Sequence, residues 1–400
     1  MASKKRISLS GSEEERAEGL HERSIIIDTL QMGPAVWNAN IFKLAKTLVE
    51  GGQPGWLVNE SVGELVLKEL VENPETRRRY VRDVKRSGVT AVNYTVGHSW
   101  KGVSKSFRGA VKSFADLTYR IDSLPEVLMK ATRAEDIRRA KREGRLAIIP
   151  GFQDTAHLED NLEILELFYR LGIRIIQLTY NTGNSVGVGT TERYQDKAGL
   201  SYFGLQFVEK LNELGIMVDT GHCGYQTTLD AVEASKDPIA ATHTACMTVY
   251  DYPRAKTDEE IKAIAEKGGY IGIYAVPFFY PAEDRTILHL LDEIDHAVEV
   301  AGADHIGIGL DYGNQSGPYP KEIGDLLYGY MWSNKAITKW GKSGFRPEHA
   351  VDPRLATEGI EFFTDWPNIT RGLVSRGYSD QEIEGILGGN FLRLFERVVR

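Results

Sequence analysis

Short apolar runs alternate with longer segments of helical pattern along the chain, once its first twenty-odd polar and acidic residues are passed. Each run is rich in β-branched residues and nearly continuously apolar. That pattern is typical of parallel strands that are covered on both faces. We therefore predict eight strands, at Ser24–Asp28, Val89–Tyr94, Leu146–Ile149, Ile173–Thr179, Gly215–Asp219, Pro238–Thr242, Tyr270–Tyr274 and His305–Leu310.

Signals for the beginning and the end of helices lie between these runs. Five Ser/Thr-x-x-Glu sequences match the capping box, in which side chains satisfy backbone N–H groups at a helix N-terminus. They begin at Ser61, Ser123, Thr132, Thr257 and Ser379. Glycines at 172, 215 and 268–269 are placed to end helices just before strands. Eight strands, each followed by a helix, predict an α/β fold, the (β/α)8 TIM barrel.

An open dinucleotide-binding sheet is the alternative, and it is weakened because no Gly-x-Gly-x-x-Gly sequence follows the first strand. We divide the chain into an N-terminal arm (1–23) and a single barrel domain (24–400). Two insertions exceed a minimal barrel, at about 33–75 after the first strand and about 312–365 after the eighth. Long insertions that follow strands lie on the catalytic face of such barrels, so both are candidate lids.

Composition and charge narrow the classes of partner. The 400 residues carry a formal net charge of −8, which argues against a nucleic-acid or an anionic membrane surface as the main partner. Cys223 and Cys246 are too few for a disulfide framework, and we expect two small buried residues. Neither a secretory signal nor a run of 18 apolar residues is visible, so we expect a cytoplasmic protein that acts on small molecules. We leave open whether the protein forms a homo-oligomer.

Candidate chemistry lies where the predicted strands end, because that is where barrel enzymes place their active sites. These positions hold Asp28, Tyr94, Gln153, Tyr180, His222, His243, Ala275 and Asp311. Two histidines on adjacent strands offer neutral nitrogen ligands to a divalent transition metal. A carboxylate such as Asp311 beside that metal can take a proton from water. The pattern predicts a metal centre around His222 and His243.

Several stretches resemble one known family when they are taken together and in order. They are Leu171–Asn181, Gly199–Gly204, Val218–His222, Thr242–Thr244, Ile306–Asp311 and Ile386–Arg393. The resemblance is to the membrane (renal) dipeptidases of the amidohydrolase superfamily, and it covers nearly the whole chain from about residue 24 to 398. It implies the same barrel and a metal-dependent peptidase chemistry.

The resemblance also implies roles for individual residues. His222 and His243 match the two histidine ligands of one metal, and Gln153 stands where the family has a bridging glutamate. The His-x-Asp pair that holds the second metal is replaced by Leu30 and Met32. Asp311 matches the strand-eight aspartate. These departures imply one divalent ion, with His222, His243, Gln153 and Asp311 as its candidate ligands; we expect zinc, with iron or manganese as alternatives.

Substrate contacts are implied in the same way. Arg254 matches the arginine that binds the substrate carboxylate, and Tyr180 replaces a histidine that faces the scissile carbonyl. From its position alone, His98 is a candidate for lining the pocket. Asp28 either orients a metal ligand or forms hydrogen bonds in the barrel floor. His157 either supports Gln153 or has a structural role.

The leading hypothesis is a mononuclear metal-dependent hydrolase, dipeptidase-like, that cleaves a small amide or peptide bond in a carboxylate-bearing substrate. Asp311 would act as general base and then acid, and Tyr180 would help to polarise the carbonyl. Two alternatives stay open. One is a non-hydrolytic metalloenzyme on the same scaffold, such as a lyase, a decarboxylase or an iron-dependent oxygen-using enzyme. The other is a degenerate homologue without catalysis.

Overall fold

Nine parallel strands form a single curled sheet in the part of the chain that the structure describes. The structure is a computed structural model, and it describes residues 7–53, 55–97, 107–311, 344–345, 349, 352 and 355–400. The strands are β1 (Ile27–Asp28), β2 (Ala91–Thr95), β3 (Leu128–Lys130), β4 (Leu146–Phe152), β5 (Ile175–Gln177), β6 (Met217–Asp219), β7 (Ala240–Thr244), β8 (Tyr270–Ile273) and β9 (Ile306–Ile308). They pair in the order β1-β2-β4-β5-β6-β7-β8-β9, with β3 attached to β4.

The first and the last strands of this order meet, which closes the sheet into a barrel. The Thr29 N–H donates to the Ile308 carbonyl at 2.9 Å, and the Asp311 N–H donates to the Leu30 carbonyl at 3.1 Å. The Thr29 hydroxyl donates to the Thr242 carbonyl at 2.6 Å, so β1 is also tied to β7. The predicted TIM barrel is confirmed.

One strand was not among the eight that the sequence predicts. β3 pairs with Leu146, Ala147 and Ile148 of β4, whereas β5 pairs with Gly151 and Phe152 at the other end of the same strand. Two short strands therefore share one side of β4. β3 has only three residues, and its last one is exposed, so it lacks the long apolar run that predicts the other strands.

Helices surround the barrel. They are α1 (Gly11–Arg23), α2 (Ala39–Glu50), α3 (Gly55–Glu72), α4 (Pro74–Ser87), α5 (Phe107–Ser123), α6 (Ala134–Glu143), α7 (Leu162–Leu171), α8 (Tyr202–Leu214), α9 (Tyr225–Ala234), α10 (Asp258–Glu266), α11 (Ile287–Ala301), α12 (Trp366–Ser375), α13 (Asp380–Glu384) and α14 (Asn390–Val398). None of the helices in the described ranges is both long enough and apolar enough to cross a membrane.

The predicted helix caps have mixed outcomes. The capping boxes at Thr257 and Ser379 are confirmed, because each side chain accepts from the third backbone N–H of its helix. The prediction at Ser61 is wrong because α3 begins earlier and runs through it, and the one at Ser123 is wrong because that residue ends α5. At Thr132 the helix begins one residue later, after Arg133.

The N-terminal arm and the two insertions differ in how far they are described. In the arm, α1 buries Ala17 and Leu20, and Arg16 at its middle forms an ion pair with Asp380 at 2.8 Å. The first insertion forms α2 and α3 and leads into α4. Most of the second insertion lies outside the described residues, so its role as a lid stays a prediction.

Candidate functional site

Two histidines lie side by side at the carboxyl ends of neighbouring strands. His222 follows β6 by three residues, and His243 is the fourth residue of β7. Their ring centroids are 4.8 Å apart with an interplanar angle of 61°, and both side chains are buried. The structure brings together the two residues for which the sequence predicts a shared role.

The His222 ring is held on one side by an asparagine. Its Nδ1 lies 2.6 Å from Oδ1 of Asn181, in the loop that follows β5. Because a carboxamide oxygen only accepts, Nδ1 carries the proton and donates, and the lone pair of the ring belongs to Nε2. This is the tautomer that binds a metal through Nε2.

The His243 ring is held through a two-step chain of hydrogen bonds. The Thr242 hydroxyl donates to Oδ2 of Asp219 at 2.6 Å, and the same hydroxyl oxygen lies 2.9 Å from Nδ1 of His243. Asp219 also accepts from the backbone N–H groups of Thr242 and Gly221, both at 2.9 Å. Burial raises the pKa of the Asp219 carboxyl, and these hydrogen bonds from Thr242 and Gly221 oppose the rise.

Gln153 directly follows β4, two strands away from β6, and its backbone is hydrogen-bonded to Gln177 at the end of β5. The Gln177 side-chain N–H donates to the Gln153 carbonyl at 2.8 Å. Gly221, which precedes His222, lies between the two strand ends: a Cβ built on it would be 3.1 Å from the Gln177 side-chain oxygen and 3.1 Å from Nδ1 of His243. The Gln153 side chain is buried. The sequence reasoning missed Gln177, Asn181, Asp219 and Thr242, although each of them lies within three residues of a singled-out position.

The Tyr180 ring stacks on the His222 ring, with ring centroids 4.2 Å apart at an interplanar angle of 21°. Burial raises the pKa of the Tyr180 phenol far above its usual range; the Asp311 carboxylate adds to the rise and the Arg254 guanidinium reduces it. The hydroxyl therefore keeps its proton at neutral pH and can donate a hydrogen bond.

Arg254 is buried, with 1% of its surface exposed. Nη1 donates to the Gly221 carbonyl, and Nη2 donates to the His243 carbonyl at 3.4 Å. The guanidinium therefore clamps the backbone beside both histidines. Its Nε has no hydrogen-bond partner among the residues that the structure describes.

Asp311 follows β9 and has an unusual backbone for a residue other than glycine, with φ at +51°. The residue as a whole keeps access to solvent, while protein packed around its carboxyl group removes part of the water there. This partial desolvation raises the pKa of Asp311 to about 7, against the lowering effect of the Arg254 charge. Such a carboxyl can accept and release protons near neutral pH.

Asp28 is the last residue of β1 and is buried. Its Oδ1 accepts from the N–H groups of Leu310 at 2.9 Å and Leu30 at 3.2 Å, so Asp28 bonds the seam at which the barrel closes. Burial raises the pKa of Asp28 well above its usual range. Leu30 is buried, and neither its side chain nor that of Met32 carries an oxygen or nitrogen donor. The residues present therefore do not fit a second metal at this place.

The remaining predicted residues are placed as follows. His157 packs edge-on against Phe152 with ring centroids 5.1 Å apart, which is a structural contact. Cys223 and Cys246 are both buried, as expected. His98 lies outside the described residues, so its role as a pocket residue stays a prediction.

The side chains around His222 and His243 limit which ligands could complete a metal site. In the described ranges, no group of three or more His, Cys, Asp or Glu side chains is placed to hold a metal ion. A cation at the His222–His243 pair would therefore take further ligands of another type, such as the amide oxygen of Gln153, or water. The assignment of Asp311 as a ligand stays a prediction.

Comparison with known proteins adds a family. The model of the family described as "Membrane dipeptidase (Peptidase family M19)" matches residues 15–339. A dipeptidase of the fungus Clonostachys rogersoniana is 24% identical over 294 residues, which are 74% of this chain and 66% of that protein. Two further fungal relatives are matched over 54% and 58% of their length. The chain thus spans less than two thirds of the length of these relatives.

Solved structures share the fold. An amidohydrolase from Pseudomonas aeruginosa superposes with a TM-score of 0.72 at 27% identity, covering 96% of this chain and 99% of that one. A metallo peptidase from Rhodobacter sphaeroides, liganded with a phosphinate mimic of the dipeptide L-Ala-D-Ala, gives a TM-score of 0.64 at 18% identity. That match covers 83% of this chain and 96% of the other, and it shows the fold alone.

Proposed function

Since the chain belongs to the membrane dipeptidase family, peptidase family M19, we propose that it is a metal-dependent hydrolase of dipeptides or of similar small amides that carry a carboxylate. The observation that carries this proposal is the buried pair of His222 and His243, 4.8 Å apart at the barrel mouth. Both rings have their Nδ1 engaged in hydrogen bonds, which leaves Nε2 as the ligating nitrogen.

We propose one divalent ion, zinc, at this pair. His222, His243 and the side-chain oxygen of Gln153 would hold it, with iron or manganese as alternatives. Bound there, a divalent ion supplies Lewis-acid chemistry for amide hydrolysis. Leu30 and Met32 give the opposite side of the mouth no donor atoms for a second ion.

Asp311 is proposed as the general base and later the general acid. It lies at the mouth, accessible to solvent, and its charge acts on Tyr180 across the same mouth. In this role it takes a proton from the attacking water and returns it to the leaving amine. Tyr180 keeps its own proton and donates a hydrogen bond toward the substrate carbonyl.

Arg254 is proposed to bind the substrate carboxylate in addition to the backbone clamp. A guanidinium has five N–H donors, and the hydrogen bonds to Gly221 and His243 use two of them. Arg254→Met should therefore raise KM, by the equivalent of roughly 2 to 4 kcal/mol for a desolvated pair. An unchanged KM would show that Arg254 does not bind the substrate carboxylate and only holds the backbone beside the two histidines.

The test is metal analysis combined with a screen of dipeptides on the purified chain. We expect one equivalent of zinc and hydrolysis of a subset of the dipeptides, both lost in His222→Ala and His243→Ala. His296→Ala is the matched control, because His296 contacts Asp258 on the helical shell at 2.9 Å. Two equivalents of metal would contradict the mononuclear site. One equivalent of iron together with oxygen consumption would show an iron-dependent oxygen-using enzyme in place of a hydrolase.

A further inference from the structure

Each histidine of the pair is oriented by its own set of hydrogen bonds, and the two sets share no residue. Asn181 contacts His222 at 2.6 Å. Thr242 contacts His243 at 2.9 Å and is itself fixed by Asp219 at 2.6 Å. Asn181, Thr242 and Asp219 are all buried, with at most 1% of their surface exposed. Water therefore cannot readily replace any of these contacts.

The chemistry of the acceptors decides where the histidine protons lie. A threonine hydroxyl has one proton, and the Thr242 proton is directed to the Asp219 carboxylate. The same oxygen can then only accept from His243, so Nδ1 of His243 must be the donor. The amide oxygen of Asn181 has no proton to give, so Nδ1 of His222 must be a donor as well.

We propose that Asn181 and the Asp219–Thr242 pair are positioning residues that fix both histidines as Nδ1–H tautomers, and so prepare both Nε2 atoms for one divalent cation before it binds. This inference rests on the proposed function only for the identity of the ligand. The protonation pattern itself is a property of the chain without metal. Outer contacts of this kind typically change metal affinity by about 10- to 100-fold.

Two substitutions test the two sets of hydrogen bonds separately. Asn181→Leu removes the acceptor for His222, and Thr242→Val removes the acceptor for His243 while nearly preserving the shape of the side chain. Two conservative variants, Asn181→Asp and Thr242→Ser, keep an acceptor oxygen in each place. Thr220→Val is the matched control, because its buried hydroxyl donates to a backbone carbonyl, that of Ala240, at 3.1 Å.

The first readout is the tautomer of each histidine, from ¹⁵N spectra of metal-free full-length protein labelled at histidine and recorded at fixed pH. We expect Nδ1–H for both rings in the native chain. Asn181→Leu should shift only His222 toward Nε2–H, and Thr242→Val should shift only His243. The conservative variants and Thr220→Val should retain the native pattern.

The second readout is zinc affinity, measured by competition with a chelating dye. We expect binding to weaken by roughly 10- to 100-fold in Asn181→Leu and in Thr242→Val, and to be restored in the conservative variants. Native rings in the Nε2–H form, or tautomers that do not respond to the substitutions, would overturn the inference even if zinc binds. Native Nδ1–H rings that respond as expected in a chain that binds no zinc would support the inference and refute the metal-dependent function.

Discussion

Replacing Lys256 with methionine removes one partner of an ion pair that is buried on both sides. Nζ of Lys256 lies 2.9 Å from Oε1 of Glu260, and each side chain is 3% exposed. The ammonium also donates to the Thr228 hydroxyl at 2.7 Å and to the Cys223 carbonyl at 2.9 Å. These three contacts use all three N–H donors of the lysine, and methionine has none.

The cost follows from what remains after the substitution. Oε2 of Glu260 keeps its hydrogen bonds from the Thr257 N–H and hydroxyl, at 2.9 and 3.0 Å, but the buried carboxylate loses its counter-ion. Removing one member of a buried pair typically costs about 3–5 kcal/mol, because an uncompensated charge stays away from water. We expect the free energy of unfolding to fall by about that amount.

Urea unfolding, followed by circular dichroism, measures this loss. Lys262→Met is the matched control, because Lys262 pairs with Glu266 on the same helix at 3.8 Å with both side chains about two thirds exposed. That substitution should cost less than about 0.5 kcal/mol. Replacing Glu260 by leucine in the Lys256→Met background should recover most of the loss. A Lys256→Met variant no less stable than the control would refute the reasoning.

Three further outcomes are expected. Gly189→Ala would place a Cβ 2.4 Å from backbone atoms of residues 180 and 181, so it should lower both Tm and zinc affinity. Gly183→Ala is the control and should change neither, because a Cβ there has its nearest contact at 3.4 Å. Burial lowers the pKa of His21 from 6.5, so the folded chain favours the neutral ring. The contribution of this ring to the free energy of unfolding is complete above about pH 6.5 and is lost as the pH falls through the lower pKa of the folded state. Urea unfolding at several pH values should show this fall in the native protein but not in His21→Gln. Asp311→Asn should lower kcat by roughly 10²-fold or more with little change in KM, and steady-state rates that stay native would exclude a role as base.

The strands were predictable because both of their faces are covered, which makes each run apolar regardless of its neighbours. β3 was not, since three residues with an exposed end carry little pattern. The capping-box sequence at Ser61 failed because helix-forming residues on both sides continue the helix through it. Local patterns thus predict an element well when no longer-range preference competes.

At the site, the sequence predicted the pair of histidines but not what orients them. Strand ends of a parallel barrel converge, so His222 and His243 were expected to meet. Thr242 is next to His243 in sequence, but the other two contacts join distant residues: Asn181 is 41 residues from His222, and Asp219 is 23 residues from Thr242. Such contacts depend on the register of packed strands, which a single sequence does not reveal. The same holds for the backbone clamp of Arg254.

The hydrogen bond from Thr29 to Thr242 bears on how the chain is made. It joins residues 213 positions apart, and Thr29 also contacts the Ile308 carbonyl, 279 positions away. During synthesis, the strand that carries His243 leaves the ribosome before the strand that closes the barrel. Contacts of such long separation form late, because loop closure must precede them. The barrel around the histidine pair can therefore close only when both of its ends have been made, and a nascent chain that stops before residue 308 lacks that closure.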